Sequence, residues 1–89
     1  MNTNNLTDQI AAVLAWTDSK CQITPLVAKY RDASQEIITI RDIAVLDRRP
    51  LPGVGRAMEF FCEAPREDMM IRFRLRYYPM ESRWAIYFD

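Results

Sequence analysis

Between Ile71 and Tyr78 the chain alternates without a break. Ile71, Phe73, Leu75 and Tyr77 are apolar, and Arg72, Arg74 and Arg76 stand between them. A period of two gives two chemically different faces only in an extended strand, where successive side chains point to opposite sides of a sheet. The same period recurs in Met58, Phe60 and Cys62 against Glu59, Phe61 and Glu63, and in Trp84, Ile86 and Phe88 against Ala85 and Tyr87. Three half-buried strands follow. Each needs a partner layer for its apolar face.

Face matching sets a register. With Pro79-Met80-Glu81-Ser82 as a loop, Tyr78 faces Arg83, Tyr77 faces Trp84, Leu75 faces Ile86, Phe73 faces Phe88 and Arg74 faces Tyr87. A slip of one residue would set apolar side chains against arginines. With Ala64-Pro65-Arg66-Glu67 as the preceding loop, Phe60 faces Ile71 and Glu59 faces Arg72. The result is a C-terminal β-meander.

Upstream, Leu6, Ile10, Val13 and Leu14 recur at helical spacing, with alanines between them and Trp16 beside the stripe. Asn4 or Asn5 can cap such a helix, Asp8 suits its first turn, and Asp18-Ser19-Lys20 ends it. Thr24-Pro25 can open a short helix through Tyr30, but Leu26 to Tyr30 also reads as a strand. A turn at Asp32-Ala33-Ser34-Gln35 and the β-branched run Ile37-Ile38-Thr39-Ile40 favour a hairpin there. Arg41 to Arg49 can continue that strand through a bulge. The expected fold class is α+β: an N-terminal helix packed on a four- to five-stranded antiparallel sheet, with residues 1–89 as a single domain. A second arrangement places three helices over residues 6–17, 25–31 and 35–47, with the last hairpin as a wing.

Composition narrows the function. Of 89 residues, 49% are apolar and 27% charged, which is the balance of a folded globule. Twelve basic and twelve acidic residues cancel, so no global field draws in nucleic acid or an anionic membrane. The chain has no histidine and only two cysteines, Cys21 and Cys62. Histidine-activated nucleophiles and structural zinc sites are therefore excluded. No apolar run is long enough to span a bilayer as a helix, and Met1 to Asn5 carries no signal-peptide pattern. The expectation is a cytoplasmic protein that is not an enzyme and uses no cofactor or metal.

The candidate binding residues lie on the polar side of the meander. Arg72, Arg74, Arg76, Tyr78, Arg83, Tyr87 and Phe61 should share one face. Arginine and tyrosine are enriched at protein interfaces, so this face predicts a protein partner for an inhibitor, immunity or adaptor protein. If the terminal strand, Trp84 to Asp89, is a sheet edge, a homodimer or a partner strand added there would cover it; the alternative is that an earlier strand of the chain does. The alternative is a single-stranded nucleic-acid-binding module, with guanidinium groups on phosphates and rings stacked on bases. A third reading leaves the face solvated, with Glu59, Glu63 and Asp89 pairing the arginines. The loop Leu51-Pro52-Gly53-Val54-Gly55-Arg56 resembles the hairpin of the helix-hairpin-helix DNA-binding family. That resemblance implies backbone amides approaching a phosphate. A simple connection between strands is the competing reading.

Overall fold

The computed structural model describes residues 9–88. They form seven strands in one antiparallel sheet: β1 Gln9–Thr17, β2 Ile23–Arg31, β3 Ile37–Ile40, β4 Ala44–Pro50, β5 Met58–Arg66, β6 Met69–Tyr78 and β7 Arg83–Phe88. The strand order is β3-β2-β1-β7-β6-β5-β4. No helix occurs among the described residues, so none there could cross a membrane.

The fold class is thus corrected from α+β to all-β. The expected N-terminal helix is strand β1, and the segment left open between helix and strand is β2. The winged arrangement fails with them. The physical reason lies in residues 10–16, which are uninterrupted apolar residues. Such a run satisfies a helical and an extended template equally. In β1 the small residues Ala11 and Ala15 alternate with larger ones, and pairing with β2 and β7 outweighs the helix propensity of alanine. The proposed caps, Asn4, Asn5 and Asp8, and the stripe residue Leu6 lie outside the described residues.

The meander is present. Tyr78–Arg83, Tyr77–Trp84, Leu75–Ile86, Arg74–Tyr87 and Phe73–Phe88 all pair as the face matching requires. The β5–β6 register differs by four positions: Phe60 faces Leu75 and Glu59 faces Arg76. An even shift keeps each residue on its expected face. It arises because Pro65 stands inside β5, opposite Met70, and only Glu67-Asp68 turns the chain. The proline is tolerated because the β4 ladder ends at Ala44–Glu63, so its missing N–H is not needed there.

Strands β3 and β4 stand at opposite ends of the order, yet only Arg41-Asp42-Ile43 separates them. The sheet therefore curls until its edges approach. Ile43 N–H donates to the Leu26 carbonyl at 3.4 Å, across this seam. The Arg48 guanidinium donates to Ile23 O at 3.1 Å and to Thr24 Oγ1 at 3.5 Å. Curling creates an inner face, filled by Phe60, Cys62, Phe73, Leu75 and Ile86 with Ala11, Ala28 and Ala64 where strands crowd. Tyr77–Trp84 and Tyr30–Phe88 ring pairs, 4.8 and 5.1 Å between centroids, close its ends.

The loop from Leu51 to Ala57 joins two strands, not two helices. The helix-hairpin-helix resemblance is therefore set aside. Gly53 and Gly55 are needed there for φ values of +77° and +54°.

Candidate interaction surface

The outer face of β5–β7 collects all seven predicted residues. Phe61, Arg74 and Tyr87 form one row across three strands, and Tyr78 faces Arg83. Arg72 and Arg76 lie two positions either side of Arg74 on the same face.

The groups on this face are engaged with one another. Arg76 Nε donates to Glu59 Oε2 at 2.7 Å, and Arg74 stands 3.6 Å from the same carboxylate oxygen. Arg72 pairs with Glu63 at 3.7 Å. Arg76 lies 4.4 Å and Arg74 5.6 Å from the Tyr87 ring centroid, while Arg83 sits 4.2 Å over Tyr78. Arg49 of β4 covers Phe61 at 5.1 Å. Arg83 also pairs with Glu81. Glu59 is 7% exposed, a buried carboxylate whose charge is met by two guanidinium groups. Burial is the largest single influence on Arg76 and opposes its charge, but the hydrogen bonds and charge attraction of Glu59 and Tyr78 together raise its pKa above the ordinary value. A phosphate would have to displace carboxylates here, and a base would find the tyrosine rings already covered. For Glu59 and Glu63 the geometry matches the self-paired reading more closely than a nucleic-acid platform, while Asp89 lies outside the described residues.

Ala57, Tyr78, Ala85 and Tyr87 form a second small buried cluster, against which Leu51 of the β4–β5 loop packs. Cys62, on the inner face, is buried, which pushes its thiol up to about 12 despite nearby Arg48. It is therefore a neutral packing group at ordinary pH. No three Cys, Asp or Glu side chains among the described residues are placed to share a metal ion.

Sequence reasoning missed a different surface. On the outer side of β1, Leu14 is 64% and Trp16 62% exposed, and Ile10 lies on the same side. Leu26 of β2 and Ile37 of β3 are exposed nearby in the sheet. An open groove of about 590 Å³ lies at the Ile10 end of these strands, away from Leu14 and Trp16, lined by Ile10, Ala11, Ala12, Tyr30 and Ile37 with Lys29 and Arg31. Large apolar side chains exposed on neighbouring strands are the kind of surface that marks an interaction site. Reading residues 10–16 with a period of two would have revealed it. The bulky Ile10, Leu14 and Trp16 share one parity, and the opposite parity holds Ala11, Val13 and Ala15.

Of the two readings of the terminal strand, the structure shows the one in which an earlier strand, β1, covers it. β7 lies between β1 and β6, with Trp84, Ala85 and Ile86 paired on both sides. A homodimer built by strand addition there has no free backbone along those residues.

No protein-family model, no curated protein and no solved structure matches this chain.

Proposed function

We propose that this chain is a small, non-catalytic, cytoplasmic protein-binding module of inhibitor, immunity or adaptor type. The observation that carries the reading is the apolar outer side of β1, where Leu14 and Trp16 are largely exposed. Surface of this kind gains most by burial against another protein, and tryptophan is a frequent anchor of such contacts. The β5–β7 face supports the same reading as a rigid polar surround. Its arginines are already ordered by Glu59 and the tyrosines, so little entropy is lost when a partner meets them. Arg72, 73% exposed, is its most available cation among the salt-bridged arginines. The two free cysteines fit a reducing compartment.

The test uses extracts of the source cells, nuclease-treated, passed over the immobilised protein. A specific protein should be retained at about 0.5 M salt, where exposed charge contacts are largely screened. It should be lost with the double variant Leu14→Lys, Trp16→Lys. Labelled single-stranded RNA and DNA should show no binding even at low salt. Binding of either that weakens steeply with salt and with Arg72→Ala would overturn the proposal in favour of nucleic acid. Retention unaffected by the double variant would overturn the assigned surface.

A further inference from the structure

Strand β1 has an open edge. It pairs with β2 along Ala11–Thr17 but with β7 only along Gln9–Ala11, opposite Ile86–Trp84. β7 begins at Arg83, and the β6–β7 turn precedes it. Beyond that point no described strand pairs with Val13 to Thr17 on this side. The backbone there offers N–H and C=O groups in the geometry that another strand satisfies.

Ordinary protection is missing from this edge. From Gln9 to Thr17 the strand has no charged residue and no proline. Its outer side shows Leu14 and Trp16 to solvent. The curled sheet guards its other exposed strand end differently, with Arg48 reaching across to Ile23 O.

We propose that the partner of this edge is a second copy of the same chain, joined by antiparallel β1–β1 pairing about a twofold axis at Ala15. Three features of the strand favour a copy of itself. It is uncharged, and the whole chain has zero formal net charge, so two copies approach without repulsion. An antiparallel pairing centred on Ala15 places the smallest side chain on the axis. It then sets Leu14 against the partner's Trp16, and Val13 against the partner's Thr17. Both bulky outer side chains thereby meet a bulky apolar neighbour, and both β-branched residues meet each other. A contact confined to Val13 to Thr17 and its flanking side chains is smaller than a standard interface, so the dimer is expected to form reversibly and to depend on concentration. This inference rests on the reading of β1 as a binding surface and names its occupant.

The experiment measures mass by light scattering across a dilution series of the full chain, from about 1 to 500 μM. The expected result is a doubling of mass with concentration, abolished by Leu14→Lys with Trp16→Lys. Both positions are exposed, so the variant should keep the native circular dichroism. In a Cys21→Ser background, Ala15→Cys should form an intermolecular disulfide on mild oxidation, because residues directly opposed in an antiparallel pair are about 4.5–5.5 Å apart at Cα. Ala33→Cys, in the β2–β3 turn, should not. A single-protomer mass throughout, a dimer that survives the lysines, or a dimer that Ala15→Cys fails to link would each overturn the inference. A monomer that still retains a protein partner through Leu14 and Trp16 would refute only the self-pairing. A dimer without any such partner would refute only the wider function.

Discussion

Glu59 is the residue on which the outer face of the meander depends. It is buried, and its carboxylate is shared between Arg76 at 2.7 Å and Arg74 at 3.6 Å. Neutralising it leaves two guanidinium groups near Tyr87 without their counter-charge. Glu59→Gln should therefore cost about 2 kcal/mol of stability, as for a part-buried charge-assisted hydrogen bond. Glu63→Gln removes the partner of Arg72, whose side chain is mostly in water at a 3.7 Å separation. That change should cost no more than about 0.5 kcal/mol. Urea denaturation of the two variants checks the contrast, and equal losses would mean that Glu59 is no more than a surface charge. This much was legible in the residues themselves. Alternation placed the carboxylates opposite the arginines, and the even register shift kept them there. What alternation does not contain is which arginine Glu59 meets, because Pro65 looked like a loop residue and its tolerance depends on where β4 stops.

At the scale of elements, two turns share one construction. In Asp18-Ser19-Lys20-Cys21-Gln22, the Asp18 carboxylate accepts from Lys20 and Gln22 N–H, both at 2.9 Å. In Asp32-Ala33-Ser34-Gln35-Glu36, the Asp32 carboxylate accepts from Ser34 and Glu36 N–H at 2.9 and 3.0 Å. In each, the fourth residue is left-handed, with φ +64° at Cys21 and +69° at Gln35. That conformation costs an L-residue about 1–2 kcal/mol, and glycine avoids the cost while losing more entropy on folding. Cys21→Gly and Gln35→Gly should each raise the melting temperature by about 2–4 °C, corresponding to a net gain near 0.5 kcal/mol. Asp32→Ala should lower stability by about 1–2 kcal/mol through its two lost acceptor bonds. Thermal melts decide both, and a lower melting temperature with glycine would refute the assigned strain. The second turn was readable from Asp32-Ala33-Ser34-Gln35. The first was mistaken for a helix end, because an aspartate that organises a hairpin turn and one that follows a helix look alike in sequence. β1 is equally ambiguous, because its apolar run fits helical spacing through Ile10, Val13 and Leu14 and a period of two through Ile10, Leu14 and Trp16.

The whole molecule is closed by its seam, and that is the feature least visible in the chain. Local patterning shows which residues form strands but not that β3 and β4, three residues apart, end on opposite edges. Arg48 supplies the side-chain contacts between the edges. It shares the inner side with Phe60, lies 5.6 Å from that ring, and donates to Ile23 O at 3.1 Å. Beside it, Ile43 N–H bonds Leu26 O at 3.4 Å. Removing the guanidinium leaves a carbonyl unpaired and one side of Phe60 uncovered. Arg48→Ala should destabilise the fold by about 2 kcal/mol. The loss should be uneven. Local opening of the seam exposes Ile43 N–H without unfolding the meander, whose ladders do not involve it. Native-state hydrogen exchange should therefore quicken at Ile43 well beyond the change in global stability. Amides of Phe73 and Leu75, in the buried centre of β6, should slow or quicken only with the global value. Uniform acceleration at all three would show that the curled sheet opens as one cooperative unit, and that Arg48 contributes to the core as a whole instead of latching its edges.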